Sequence, residues 1–266
     1  MTAATAPPSP TVGRRFTLPS WASSVSGIVG LLAVWQLVGA TLLSEGGSVP
    51  TPTEIIRVIR VDGFEFYWNN ANATLTSAFK GWAYGNGIAI ALALLVLITP
   101  VIERPLLQLG ITSYCLPIVA IGPIFYIVFD SETQRVMLAA MSVFFTTLIG
   151  TILGLRSADP TSLDVIHAYG GGSVKKLTKV RLRASLPHVF AALRIASPAA
   201  ILGAIIGEYL GAERGLGVAM INSQQAFNVP RTWALALVAT LVAGVAYGLT
   251  ALVGHLLTPW APRNPR

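Results

Sequence analysis

The sequence predicts an all-α, polytopic membrane protein of six transmembrane helices joined by one cytoplasmic helical loop. Two observations predict it. Of 266 residues, 53% are hydrophobic and only 11% charged, against roughly 25% charged in a soluble domain, and mean hydropathy is +0.67. The charges also leave gaps: none occurs between Arg15 and Glu45, Lys80 and Glu103, Arg104 and Asp130, Arg135 and Arg156, or Arg231 and Arg263. A bilayer core about 30 Å thick needs roughly 20 apolar residues in a helix, and these gaps supply them.

The spans fall at about 22–43, 81–101, 106–128, 136–155, 188–212 and 233–257, the fifth less clean because Arg194 and Glu208 interrupt it. The transmembrane domain is therefore 21–262. Before it lies "MTAATAPPSP", small and proline-rich, within a segment 1–20 expected to be disordered and cytoplasmic. A short tail, 263–266, follows. "GRRFTL" faintly resembles a twin-arginine signal, but the apolar run after it exceeds a signal-peptide core of about 7–15 residues. The first span is read as retained. The segment 53–79 reads as an interfacial helix carrying Ile55, Ile56 and Ile59, with Tyr67 and Trp68 at headgroup level.

Charge sets the orientation. With both termini cytoplasmic, the inner segments hold twelve of the eighteen cations and three of the eleven acids, a balance of +9 against −2 outside. An excess of Lys and Arg marks the cytoplasmic side. The chain is thus expected in a prokaryotic inner or plasma membrane. The high cation count is a matter of topology in the lipid bilayer and no sign of nucleic-acid binding.

One stretch stands apart: "LDVIHAYGGGSVKKLTKVRLRASLPHVF", residues 163–190. Asp159 can cap a helix beginning at Pro160, where a missing N–H costs nothing, and Thr161 with Asp164 fits a capping box. Leu163, Ile166 and Tyr169 share a helical face, and Gly170 to Gly172 can end it. Val174, Leu177 and Val180 repeat the pattern opposite Lys175, Lys176 and Lys179. The cations alone would suit topology or anionic headgroups. A docking surface for a soluble partner also accounts for the helix–glycine–helix form.

Residues 154–190 resemble the cytoplasmic loop, with its EAA motif, of ATP-binding cassette (ABC) importer permeases, and the chain is similar to their nitrate/sulfonate/taurine branch. The motif's Glu-Ala-Ala corresponds to Asp164, Val165 and Ile166, its glycine to Gly170, one Leu-Pro to Leu182-Arg183 and the next to Leu186-Pro187. Asp for Glu shortens reach, Val-Ile thickens the helix, and Arg183 replaces a proline. "SVPTPTEI" (48–55), "AIIGEYLGAERGLG" (204–217) and "LLTPWAP" (256–262) extend the likeness over about 48–262.

The resemblance implies that loop 157–187 seats on a cytoplasmic ABC ATPase through Asp164, Ala168, Gly170, Gly171, Lys175, Lys176, Leu186 and Pro187. It also implies a second permease copy, in a homodimer, and an extracytoplasmic solute-binding protein. ATP and Mg would be bound by the ATPase and no cofactor by this chain, which lacks a GxxxxGK[ST] phosphate loop.

No catalytic set is visible. His167, His188 and His255 lack metal-ligand spacing, so no metal site is assigned. A membrane enzyme would want paired acids or a Ser-His set. An ion-coupled transporter would want more intramembrane charge or inverted repeats. The pathway candidates are Ser113, Pro117, Gly122 and Pro123 in span three, where prolines either curve a packed helix or break it beside a cavity. Glu208 is the other: an acid near a span by default suggests function, the alternative being an ion pair with Arg214 or Arg231. The solute is expected to be small, polar or anionic (nitrate-, sulfonate- or taurine-like), or else a vitamin precursor or other metabolite.

Overall fold

The computed structural model describes residues 20–41 and 49–261. Residues 1–19 of the expected disordered segment, and the tail 263–266, lie outside the described residues. So do Arg14 and Arg15. Ten α-helices account for nearly all of the described chain, and no strand occurs among the described residues. The predicted all-α class is correct.

The chain divides into two compact units, 1–53 and 54–266. The first holds α1 (Ser20–Thr41), uncharged and apolar. The Pro-x-Pro turn after it is tied back by Gln36, whose Oε1 accepts from the Thr53 N–H at 3.3 Å while its Nε2 donates to Thr53 Oγ1 at 3.2 Å. A Cβ at Gly39 would stand 3.1 Å from Thr51 Cγ2.

The second unit takes up most of α2 (Pro52–Ile98), and then α3 (Glu103–Cys115), α4 (Ile118–Val128), α5 (Ser131–Arg156), α6 (Pro160–Ala168), α7 (Ser173–Lys176), α8 (Leu182–Tyr209), α9 (Leu216–Gln225) and α10 (Val229–Leu257). Gly63, at φ 78° and ψ 157°, breaks α2 into 52–62 and 64–98. Just after the break Tyr67 is buried while Trp68 stays exposed. The Tyr67 hydroxyl donates to Asp62 Oδ2 at 3.0 Å. Arg231 at the start of α10 reaches the same carboxylate, with Nε–Oδ2 at 2.8 Å and a second bond to Oδ1. Lys80 pairs with Glu132, and Arg156 with Glu103.

The six predicted spans all fall on helices, but they are not six equal rods. Four described helices are long and apolar enough to cross a bilayer: Pro52–Ile98, Ser131–Arg156, Ser173–Tyr209 and Val229–Leu257. Val25–Thr41 is a shorter apolar helix. Predicted span three is the exception, being two helices bent by 95°. Pro117 cannot donate to a carbonyl one turn back, and Leu116 before it adopts ψ 124°, the extended conformation a following proline favours. Pro123, by contrast, stays inside α4.

Helix α5 is the axis of the packing. Its closest neighbour is α8, and small residues let the backbones meet, as they must where lipid gives no hydrophobic drive for helices to associate. A Cβ at Gly150 would stand 2.6 Å from Ala192 Cβ, and one at Gly203 only 2.8 Å from Ala139 Cα. Gly81 and Gly85 bring α2 equally near to α5. Between these helices Thr147 Oγ1 donates to Asn86 Oδ1 at 2.5 Å, both residues being buried.

Candidate functional site

Loop 157–187 is built from its termini inward. Asp159 is the N-cap of α6: its carboxylate accepts from Ser162 N at 3.0 Å and Thr161 N at 3.4 Å. These bonds, Ser162's above all, hold the Asp159 carboxyl below its ordinary range. Thr161 is consequently a helical residue. The capping box expected of Thr161 with Asp164 gives way to the Asp159 cap, and Asp164 stands exposed.

The other end of α6 is a Schellman terminus. Gly170 N donates to His167 O at 2.9 Å, and Gly171 N to Ile166 O at 2.8 Å, the paired bonds that satisfy the last carbonyls of a helix. Two glycines are needed for different reasons. Gly170 adopts φ +73°, which costs an L-residue about 1–2 kcal/mol. At Gly171 a Cβ would lie 2.4 Å from Ile166 Cγ2 and 2.6 Å from Ile166 O.

The result is a short rigid helix presenting an outward face: Asp164, Ala168 and Gly170 are exposed, Val165 is 50% exposed and Tyr169 87%. The expected apolar face therefore splits, because Leu163 and Ile166 turn toward the protein and Tyr169 does not. Val174, 73% exposed, and Lys175 continue the outer surface, with Lys176 half-buried. The expected second arm is not a separate one. A π-turn over Leu177–Arg181 runs α7 directly into α8, so that Ser173–Tyr209 is one 37-residue helix. Leu177 packs on the core cluster of Ile152 and Leu155. Leu186 and Pro187 lie within α8, where the flanking Ser185 and His188 abut Gly154 of α5. Thus Asp164, Ala168, Gly170 and Lys175 share the exposed tip, Gly171 is buried and Lys176 half-buried beside it, and Leu186-Pro187 sits at its base.

The pathway candidates do not gather in one place. Ser113 borders a cavity of about 570 Å³ with Lys80, Tyr84, Glu132, Thr133 and Phe144. Pro117 forms the bend nearby, and it and Pro123 are exposed. Gly122 is packed instead: Gln134 Nε2 donates to its carbonyl at 3.3 Å, and a Cβ there would fall 1.9 Å from Leu210 Cδ1. Another cavity of about 570 Å³ is bordered by Ser77, Arg135, Glu213 and Arg214, and shares Asp130 and Glu132 with the first.

Glu208 borders neither of these cavities. It is 1% exposed, and its Oε2 accepts from Gly217 N at 2.7 Å. The two preceding amides are held from α2, Leu216 N by Thr74 Oγ1 at 2.9 Å and Gly215 N by Asn70 Oδ1 at 3.3 Å. Three side chains from two helices thus satisfy the orphan N–H groups that open α9, and a carboxylate suits that positive end. The expected ion pair with Arg231 is absent, since Arg231 is engaged by Asp62.

Residues 73–261 match the family described as "Binding-protein-dependent transport system inner membrane component". The chain belongs to that family. This permease is 27% identical over 236 residues to a formylaminopyrimidine transport permease protein of Halalkalibacterium halodurans, covering 88% of this chain and 94% of that one. It is 30% identical over 213 residues (79% and 86%) to a probable ABC transporter permease protein of Haemophilus influenzae. A putative aliphatic sulfonates transport permease protein of Bacillus subtilis is 24% identical over 237 residues (86% and 84%). The protein is a multi-pass ABC importer permease subunit, and such subunits work with an ATPase and a binding protein.

Within the permease, sequence reasoning missed Asn70 and Thr74, which lie in the stretch 69–76, noticeable only as three Asn and two Thr among apolar residues. Their signal would have been the three helix-opening amides of residues 215–217, which need acceptors. Lys80 and Glu132 were likewise visible only as span-flanking charges.

Proposed function

We propose that this permease conducts a small polar or anionic solute, delivered by an extracytoplasmic binding protein, through a pathway formed with a second, identical copy. Loop 157–187 seats in a groove of a cytoplasmic cassette ATPase, which binds ATP and Mg, and both termini are cytoplasmic in the inner or plasma membrane. The observation that carries this reading is the tip itself: a helix fixed at both ends, with Asp164, Ala168 and the bare Tyr169 ring facing out. An exposed apolar patch with charged neighbours is a docking surface. A vitamin-precursor solute is the second reading, favoured by the formylaminopyrimidine permease among its relatives.

The mechanical path follows from helix continuity. Ser173–Tyr209 leads without interruption from the loop to the Glu208 clamp, roughly 55 Å at 1.5 Å per residue. Closure of the ATPases would move the tip, and α8 would carry the displacement to α9.

Two experiments test this. Wild-type permease should co-purify with its ATPase, while Asp164→Ala and Tyr169→Ala should each lower the recovered ATPase by at least about tenfold, the cost of one interface hot spot, with permease levels unchanged. Retention of ATPase and of transport by both variants would remove the loop from the interface. For the pathway, cysteines at Ser113 and Pro117 in a Cys115→Ser background should react with a small polar thiol reagent in the assembled transporter. If both positions are inert, span three does not line the route.

A further inference from the structure

At the loop end of the bundle, α8 and α10 enclose a cleft of about 260 Å³ that the transport reading does not use. Phe190, Ala191, Ala251 and Gly254 make its apolar walls, and Arg194 supplies its full-time charge; no acid borders it. The Arg194 guanidinium is held 5.3 Å from the centroid of the Tyr247 ring. Its Nε is buried without a hydrogen-bond partner, although buried N–H groups are almost always paired.

Geometry places this charge near the bilayer boundary. Arg194 lies seven residues into the helix from Pro187, about 10 Å, and Cα–Cβ bonds tilt toward a helix's N-terminus, which for α8 is the loop end. The cleft continues to Ala261, beside the ring of Trp260, over which Arg183 sits at 4.8 Å from the centroid. A cation above apolar walls in an open cleft complements an amphiphile with an anionic head. Guanidinium is the side chain suited to gripping phosphate through two N–H groups.

We propose that this cleft binds the headgroup phosphate of an anionic phospholipid, with Arg194 as its ligand. The lipid would brace α8 against α10 close to the π-turn, at the base of the element that moves with the loop.

The test is native mass spectrometry of the full chain, delipidated in mild detergent and then offered phosphatidylglycerol or phosphatidylcholine vesicles. Wild type should retain phosphatidylglycerol over phosphatidylcholine by at least about tenfold, as one charged hydrogen-bonded contact implies. Arg194→Gln should lose that preference, and Arg194→Lys should keep part of it. Ala251→Phe, which fills the apolar wall and leaves Arg194 in place, should exclude the lipid; it carries the test should Arg194→Gln fail to fold. Wild-type preference in either Arg194→Gln or Ala251→Phe would overturn the proposal. Displacement of the lipid by excess inorganic phosphate would overturn it too, by assigning the cleft to a soluble anion.

Discussion

Gly171→Ala is expected to abolish uptake while leaving the transmembrane bundle folded. The new methyl would meet Ile166 at 2.4 Å through its side chain and 2.6 Å through its carbonyl, and neither can retreat without undoing the last turn of α6. Overpacking of this kind costs about 1–3 kcal/mol. The opposing free energy is small, because α6 has nine residues and none of its side chains is buried, and so short a helix is marginal without its ends fixed. The tip would fray, and the exposed set of Asp164, Ala168 and Tyr169 would lose its fixed geometry. Uptake should fall by at least about a hundredfold, the product of two hot-spot losses of about 1.4 kcal/mol each. Gly170→Ala, which meets no atom within 4 Å but holds φ +73°, should cost less and reduce uptake by about tenfold. Transport assays at matched membrane abundance separate the two, and equal, wild-type rates would show that the terminus need not be rigid.

The second large effect lies at the other end of α8. Gly215 sits at φ +140°, and a Cβ there would lie 2.2 Å from Glu208 Cδ. Gly215→Ala should therefore lower stability by about 3 kcal/mol or more, adding backbone strain to a clash with a buried carboxylate. Glu208→Ala leaves the Gly217 N–H buried without its acceptor, costing about 1–3 kcal/mol. Glu208→Gln keeps an oxygen that can accept from that N–H, so it should fold and assemble, with uptake slowed. The double variant Glu208→Ala/Gly215→Ala should be more stable than the two single losses summed, since removing the carboxylate removes the clash. Thermal unfolding in detergent reads all four. Strict additivity would place the strain of Gly215→Ala in its backbone alone.

What could be seen in the chain, and what could not, divides along physical lines. Charge-free runs located five of the six predicted spans, because the cost of charge in lipid acts locally along the sequence. Asp159-Pro160 and Gly170 marked the ends of α6 for the same reason: capping is chemistry between near neighbours. The failures are long-range. Pro117 and Pro123 carry the same residue signal, yet α3 ends before the first while α4 passes through the second. Tyr67 is buried beside Asp62, which finds Arg231, 169 residues away. In place of the expected ion pair with Arg231, Glu208 holds a backbone amide nine residues on, beside Asn70 and Thr74 from α2. Nothing local distinguishes those roles. The π-turn that fuses α7 to α8 likewise has no residue signature, and it takes Leu186-Pro187 from the end of the loop into α8.

The central claim, that the tip of loop 157–187 meets a cytoplasmic motor, is tested most directly at Tyr169, the 87%-exposed residue that ends α6. A cysteine placed there in a Cys115→Ser background should resist a membrane-impermeant maleimide in intact cells. It should react in inverted vesicles stripped of peripheral proteins, and be shielded again when the ATPase is restored. Labelling in intact cells would put the loop on the opposite face of the membrane and contradict the account.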